Sequence, residues 1–237
     1  MKKITVVLIS FFLLHSCGEL QGVVDSLPQS GGILSNADIA AGLRQALDMG
    51  IEKQVTKLTK TDGFYKNELV KIFLPSELQK VDKGLRDIGL GSLADEGLKV
   101  LNRAAEDAVK EATPIFVNAV KEITFADAKN ILLGPDDSAT QYLSSKTKTS
   151  LYDKFHPVIN NSFAKVGADQ IWINLINRYN AIPFTNDVNP DLTEYVTNEA
   201  LKGVYTMIAV EEVEIRNKVG ARTTDLLRKV FALQDRK

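Results

Sequence analysis

The chain has 237 residues with 29 basic and 30 acidic side chains, and 44% of its residues are hydrophobic. Without Lys2 and Lys3 the balance is 27 against 30, a formal charge of −3, and the charges are interspersed along the chain. Such a chain has no basic surplus for binding nucleic acid, and it is long enough for one large domain with its own core.

The first 17 residues have the pattern of a bacterial secretion signal. Lys2 and Lys3 precede an apolar run from Ile4 to Leu14, which is too short for a permanent anchor because a membrane-spanning helix needs about 20 residues. The run ends in Leu14-His15-Ser16-Cys17, which resembles a lipobox, although His15 occupies the place of a small residue. We therefore predict a lipoprotein signal peptide at residues 1–16. The alternative is an ordinary secretory signal with an incidental cysteine.

Cys17 is the only cysteine of the chain. Lipidation would use its thiol, so none would remain for catalysis, a disulfide or a metal. Two or three acyl chains, at about 0.8 kcal/mol per buried methylene, would make membrane anchoring stable. The resemblance implies the periplasmic side of a membrane. Gly18 stands where an aspartate would retain enteric lipoproteins at the inner membrane, which favours the outer membrane.

Residues 17–35 are predicted to be the lipidated cysteine and a flexible tether. Pro28, Gly31 and Gly32 lie in this segment, and it has no helical or strand period. From residue 36 to residue 237 we predict a single all-α domain. Its first helix begins with a capping box formed by Ser35 and Asp38.

The first helix is predicted to run through Ile51, with a possible extension to Leu58. Thr61-Asp62-Gly63 then predicts a turn, and Phe64 and Tyr65 follow it directly. Aromatic rings on or beside a loop either fix the loop to the core or contact a partner. We interpret Phe64 and Tyr65 as candidate partner contacts.

The longest helical pattern extends from Ser92 to Ile123, with apolar residues at steps of three and four. We expect the rest of the domain to be organised around it. Ser92 and Asp95 indicate a capping box, and Thr113 before Pro114 indicates a second helix start. The stretch is therefore predicted to be two helices or one kinked helix.

Further helix boundaries follow in chain order. Ser76 with Gln79 opens a helix that ends at Gly89, and Thr124 with Asp127 opens another that ends at Gly134-Pro135. Other signals are a cap at Asp136 or Asp137, an interruption at Pro157, a helix around Trp172, a long helix from about Thr193 to Val219, and a terminal helix capped by Thr223 or Thr224. No strand alternation or hairpin signal is convincing, so the predicted class is all-α.

Two polar groups interrupt apolar helix faces. Glu212 and Arg216 are spaced i, i+4 on the apolar stripe of the last long helix, in the favourable order for an ion pair. They indicate a buried structural salt bridge, or a charged pair that lines a pocket. On the central stretch, Asn102 lies on the apolar face, and Arg103 can reach Glu106 or Asp107. These residues indicate hydrogen bonding between helices or a polar pocket.

Catalytic and cofactor patterns are sparse. His15 would leave with the signal, so His156 would be the single histidine of the mature chain, and a histidine-based metal site is excluded. The sequence has no phosphate-binding loop, dinucleotide fingerprint, calcium loop or Gly-x-Ser-x-Gly elbow. We predict no metal and no cofactor. These absences weaken the hypothesis of an enzyme without eliminating it.

Several segments resemble a bacterial family known only as a domain of unknown function, number 4197 in that series, which occurs in predicted lipoproteins and other exported proteins. The similar segments are Asp62-Gly63-Phe64-Tyr65, Lys71-Ile72-Phe73-Leu74-Pro75, Asn102-Arg103-Ala104-Ala105-Glu106, Pro114-Ile115-Phe116, Ala139-Thr140-Gln141-Tyr142, Tyr195-Val196-Thr197, Glu211-Glu212, Ile215-Arg216 and Ala221-Arg222-Thr223-Thr224-Asp225-Leu226-Leu227. The resemblance implies an all-helical exported domain and brings no activity, cofactor or catalytic residue.

Three hypotheses for function follow. The first is a non-catalytic domain, tethered to the membrane through acyl chains on Cys17, that binds a protein partner in the cell envelope. The second is a carrier that holds an apolar or lipid-like ligand between helices, where Ala104, Ala105, Ala108 and Ala112 leave room. The third is an envelope hydrolase that uses Glu212, Arg216 or His156.

Overall fold

The computed structural model describes residues 34–87, 89, 91–166, 173, 177, 180 and 191–235. The predicted signal peptide, the lipidated Cys17, nearly all of the tether and the helix predicted around Trp172 lie outside the described residues.

The all-α prediction is confirmed, since the described residues form helices and no strand. The α-helices are α1 Asn36–Leu58, α2 Gln79–Asp87, α3 Gly91–Val109, α4 Ala112–Lys121, α5 Phe125–Leu133, α6 Ser138–Val166, α7 Leu192–Asn217 and α8 Asp225–Phe231, with short 3-10 turns at Ser76–Leu78 and Val219–Ala221. Within this described part, no helix is both long enough and apolar enough to cross a bilayer.

The helices pack around α6 and α7. The most extensive pairing is between these two helices, and α6 also packs along α3 while α7 packs against α1 and α3. Fully buried phenylalanines anchor the core: Phe64, Phe116, Phe155 and Phe163. The stretch from Ser92 to Ile123, which we expected to organise the domain, contacts both of these helices, since α3 packs against α6 and α7 and α4 packs against α6.

That central stretch divides into two helices, as one of the two alternatives predicted. Residues 110 and 111 form a turn between α3 and α4. The second helix begins at Ala112 with Glu111 before it and no side-chain cap, so the prediction of Thr113 as an N-cap is wrong. Pro114 is accommodated because its missing N–H falls in the first turn, where no intrahelical acceptor is required.

α6 continues through Pro157, which contradicts the predicted interruption. A proline inside a helix removes one hydrogen bond and crowds the preceding turn. Phe155 and Ile159 on either side are fully buried. Burial of these side chains offsets the local cost, so tertiary packing overrides the helix-breaking tendency.

Several predicted boundaries are confirmed. Thr124 accepts a hydrogen bond from the Asp127 N–H while Asp127 accepts from the Thr124 N–H, which is the predicted capping box of α5. Thr224 caps α8 by accepting from the Leu227 N–H. Gly89 has φ +82°, a left-handed conformation that favours glycine, just after the end of α2.

Candidate functional site

Glu212 and Arg216 lie buried at the junction of three helices. One carboxylate oxygen of Glu212 accepts from the Ala139 N–H at 2.8 Å and from the Arg216 guanidinium at 2.8 and 3.0 Å. The other oxygen accepts from the N–H and the hydroxyl of Thr140, each at 2.8 Å. Glu212 therefore caps the N-terminus of α6 from a different helix, where an anion is favoured by the helix dipole.

Arg216 completes the junction on the opposite side. Its guanidinium donates to the backbone carbonyl oxygens of Ile131 and Leu132, at 2.8 and 3.1 Å, at the C-terminal end of α5. A cation is favoured at that end of a helix. The pair joins the end of α5 to the start of α6. The N–H groups of residues 139 and 140 at that start donate to Glu212, and not to the predicted caps Asp136 or Asp137.

Arg222 extends the charged network toward the C-terminus. It is buried and donates to the carbonyl oxygens of Ile215 and Arg216, at 3.0 and 2.7 Å, at the C-terminal end of α7. It also forms a two-bond ion pair with Asp235, at 2.5 and 2.7 Å. In these contacts the charged side chains bond to helix ends and to one another, which indicates a structural role for the network.

A second polar cluster fixes the segment between α1 and α2. Asn102 on α3 is fully buried. Its side-chain oxygen accepts from the Ile72 N–H and its side-chain nitrogen donates to the Ile72 carbonyl, both at 2.8 Å. The amide thus satisfies both backbone groups of one residue. Asn102 bonds a connecting segment, and the predicted hydrogen bonding between helices is not its role.

Glu106, one turn further along α3, holds the start of the same segment. Its carboxylate accepts from the Phe64 N–H at 3.1 Å and from Arg103 at 2.5 Å. Arg103 also pairs with Asp62, whose φ is +68°. Glu106, Arg103 and Asn102 therefore hold the backbone of the segment at its beginning and near its middle.

Phe64 is a core residue, and this corrects its prediction as a partner contact. Its side chain is 0% exposed. A Cβ added at Gly203 of α7 would lie 2.7 Å from the Phe64 ring, so the glycine makes room for the ring. Gly63 is required as well, because a Cβ there would lie 2.6 Å from the Lys57 carbonyl oxygen. Tyr65 remains half-buried at the surface.

An exposed apolar surface lies on the outside of this fixed segment. Leu69 is 61% exposed and Phe73 is 55% exposed. The Lys71 ammonium lies 4.6 Å from the centre of the Tyr65 ring and 5.5 Å from that of Phe73, within the range of cation–π contacts. We call Tyr65, Leu69, Lys71 and Phe73 the loop face. Of these residues, sequence reasoning had selected Tyr65 alone.

A sequence signal for the loop face existed over a short stretch. Val70, Ile72 and Leu74 are buried, while Lys71 and Phe73 between them are not. This alternation is the pattern of an extended segment with one buried face. It covers five residues between helical patterns, which is too short to stand out by periodicity.

The residues proposed for a ligand carrier are tightly packed. Ala104, Ala105, Ala108 and Ala112 are at most 1% exposed, on helices that pack against their neighbours. Among the described residues, a cavity of about 20 Å³ is lined by Leu47, Ile51 and Glu212 together with other core side chains. That volume holds one water molecule. An open groove of about 670 Å³ along α1 has a mixed lining: charged side chains that include Glu52, Lys53 and Lys57, and apolar side chains that include Met49, Ile215 and Leu227.

His156, which is named in the hydrolase hypothesis, lies beside an aromatic side chain. His156 is half-buried on α6, and its ring lies 5.6 Å from that of Tyr152. Within the parts of the chain that the structure describes, no three side chains of His, Cys, Asp or Glu converge as metal ligands would.

The ion pairs of Asp62 lead to a prediction about acid stability. Hydrogen bonds from Lys66, and then from Arg103, lower the pKa of Asp62 below its usual value. A lowered pKa means that the folded state favours the charged form, so this stabilisation is present above the unfolded pKa, about 3.9, and is lost as the pH falls through the lower folded value. We expect the melting temperature of Asp62→Asn to fall less than that of the wild type between pH 5 and pH 2.5.

The matched measurement is thermal unfolding by circular dichroism at half-unit pH steps. Asparagine tolerates the positive φ of this position, so the substitution isolates the charge. Equal acid-induced losses of melting temperature in the two proteins would show that the Asp62 ion pairs do not contribute to the pH dependence of stability.

Comparison with known proteins identifies a family and no relative of known activity. A family model described as "Protein of unknown function (DUF4197)" matches residues 33–232. No curated protein and no solved structure matches the chain.

Proposed function

The chain belongs to the DUF4197 family of proteins of unknown function, and we propose that it is a membrane-tethered lipoprotein whose helical domain binds a protein partner in the cell envelope through the loop face. The single observation that carries the proposal is a solvent-exposed aromatic and aliphatic surface on a backbone segment held by buried polar side chains.

The loop face is pre-organised for binding. The amide of Asn102 holds Ile72 by two hydrogen bonds of 2.8 Å, directly beside Phe73. The Tyr195 hydroxyl donates to the Phe73 carbonyl oxygen at 2.9 Å. A rigid segment loses little conformational entropy when a partner binds, so more of the contact energy appears as affinity.

The side chains of the loop face have the chemistry of an interaction surface. Aromatic residues are enriched among the residues that carry most binding energy at protein interfaces. Phe73 and Leu69 are exposed in the folded domain, so their apolar surfaces add little to its stability. A partner that covered them would gain the free energy of burying these apolar surfaces. The ammonium of Lys71 would favour an acidic group of the partner at the rim of the interface.

The anchoring part of the proposal rests on the sequence. Lipidation at Cys17 and a tether to residue 35 would hold the domain at the periplasmic face of the outer membrane. The loop face would then meet envelope proteins within reach of the tether. Mass spectrometry of the membrane-extracted chain is expected to find diacylglycerol on Cys17 and no residues before it.

The partner proposal is tested by photo-crosslinking in cells. A benzoylphenylalanine at position 69 of the full chain is expected to give a defined crosslinked product. The same probe at Val219, which is also 61% exposed but lies outside the loop face, is the control and is expected to give none.

The substitutions Tyr65→Ala and Phe73→Ala together are expected to lower the yield from position 69 at least tenfold. Loss of two aromatic contacts is expected to remove more binding free energy than the 1.4 kcal/mol that corresponds to a tenfold change in affinity. An unchanged yield in the double variant, or equal products from positions 69 and 219, would contradict binding through the loop face.

A further inference from the structure

The open groove of about 670 Å³ beside the C-terminal half of α1 shares no residue with the loop face. One wall is a single face of α1, since the lining residues of that helix recur at steps of three and four. The opposite wall comes from α7, α8 and the connection between them, through Ile215, Leu227 and Thr223. We call this feature the α1 groove. Its volume lies in the range of small-molecule sites, about 300–1,000 Å³.

The charges that line the α1 groove are unevenly paired. The Lys53 ammonium lies 2.7 Å from a carboxylate oxygen of Glu211, which is buried, so these two charges balance. Lys57 and Lys60 are exposed, and neither forms an ion pair in the part of the chain that the structure describes. Two uncompensated positive charges therefore lie where α1 ends.

Glu52 gives the α1 groove a direction. Its carboxylate forms no ion pair with any described residue, and it precedes Lys57 by five positions. At 1.5 Å per residue, this places the two side chains about 7.5 Å apart along the helix axis. An anionic group is attracted to the end with Lys57 and Lys60 and is repelled from the end with Glu52.

Apolar side chains line the groove beside these charges. Met49, one turn before Glu52, is 37% exposed, and Ile215 and Leu227 lie on the opposite wall. A small inorganic anion at the lysines would leave Met49 in water. An apolar chain along the groove would cover it, which is favourable because apolar surface is removed from water. The lining therefore matches a ligand that is both anionic and apolar.

We propose that the α1 groove binds an amphiphile that has an anionic head group and an apolar chain. The head group, a phosphate or a carboxylate, lies against the ammonium groups of Lys57 and Lys60, and the chain extends along α1 toward Met49. This site is separate from the proposed function, because no residue of the loop face lines the groove.

Lysine footprinting of the full chain, purified in dodecyl maltoside, tests this site. An amine-reactive reagent is applied with and without dodecyl phosphate, and the labelling of each lysine is measured by peptide mass spectrometry. At about twice its Kd, a ligand leaves the site empty about a third of the time, so labelling of Lys57 and Lys60 is expected to slow about threefold. Lys148 and Lys154 on α6 are exposed and have no ion pair among the described residues, so they are the internal control and are expected to be unaffected.

The choice of compounds separates the head group from the chain. Dodecyl maltoside, present throughout, has the same chain with a neutral head group, so added protection requires the anion. Inorganic phosphate has the anion without the chain and is expected to give no protection at the same concentration. Added salt is expected to weaken the protection by dodecyl phosphate, because exposed charges are screened.

Met49→Gln tests the contact with the apolar chain. The concentration of dodecyl phosphate that half-protects Lys57 and Lys60 is expected to rise several-fold in this variant. Val213→Gln is the matched control, since Val213 is 42% exposed on α7 and does not line the groove. Both positions are at the surface, so the melting temperatures of the two variants are expected to stay close to that of the wild type.

Equal slowing at the two control lysines, equal protection by inorganic phosphate, or no protection by dodecyl phosphate would overturn the inference. An unchanged half-protection concentration in Met49→Gln would do the same, because the chain would then not lie along α1. The crosslink from position 69 is measured independently, so failure of this site and failure of the proposed function are distinguishable.

Discussion

Glu212→Ala is expected to lower the free energy of unfolding by about 3–5 kcal/mol, since removing one member of a buried ion pair leaves the other charge uncompensated. For a domain of this size, that loss corresponds to a melting temperature lower by about 6–20 °C. Arg216 would remain buried without a carboxylate, and the side chain of Arg216 is 3% exposed.

The expected loss exceeds that of an ordinary helix ion pair because Glu212 has several roles. It also accepts from the Ala139 N–H and from Thr140 at the start of α6. These donors have no alternative intrahelical acceptor in the first turn, so each would lose a charge-assisted hydrogen bond. One substitution therefore disturbs α5, α6 and α7 together.

Chemical denaturation and thermal unfolding of the purified chain measure this effect. Glu214→Ala is the matched control, because Glu214 of the same helix pairs at the same i, i+4 spacing with Lys218, the residue just after the helix, and both side chains are exposed to solvent. The control is expected to change the free energy of unfolding by about 0.5 kcal/mol or less. A Glu212→Ala melting temperature within 2 °C of the control, against the several degrees of loss expected here, would refute a structural role for the buried pair.

Asn102→Ala is expected to cost about 2–4 kcal/mol of stability, because it leaves the N–H and the carbonyl of Ile72 without their partners. Both groups bond to the Asn102 amide at 2.8 Å, and Ile72 is 1% exposed. No other hydrogen bond to these two backbone groups exists among the described residues. The segment would have to move toward water to satisfy them.

The same substitution is expected to weaken partner binding without altering any side chain of the loop face. If the segment becomes mobile, binding must order it again, and the crosslink from position 69 should fall several-fold. Asn198→Ala is the matched control, since the exposed Asn198 on α7 bonds, among the described residues, to the carbonyl of Glu194 in its own helix. Stability and crosslinking equal to this control would show that Asn102 does not hold the segment.

Local signals in the sequence predicted the helices and several of their ends. The Thr124 and Asp127 box, the Thr224 cap and the glycine at position 89 each depend on residues within a few positions of one another. Their geometry is local, so one chain without any other information is sufficient to identify them. The same holds for the turn at Asp62 and Gly63.

The candidate site was predicted only in part because its decisive contacts join residues far apart in sequence. Tyr65 was selected as an aromatic residue after a turn, and so was Phe64, although Gly203 of α7 provides the space that buries the Phe64 ring. Leu69 and Phe73 were missed because the alternation of buried and exposed residues beside them covers only five positions, which is too short to stand out between helical patterns. Exposure depends on which helices pack over the segment.

By itself, the sequence determined the helical class, the near-neutral charge, the turn before Phe64 and the i, i+4 spacing of Glu212 and Arg216, because propensity, capping and periodicity act over a single turn or a few turns of chain. Only the tertiary structure decided that Glu212 caps α6 and that Asn102 and Glu106 hold the segment of the loop face. The hydrogen bonds that the Ala139 N–H donates to Glu212 and the Ile72 N–H donates to Asn102 join residues 73 and 30 positions apart. Such pairs form only when the packing of apolar faces has already brought the helices together.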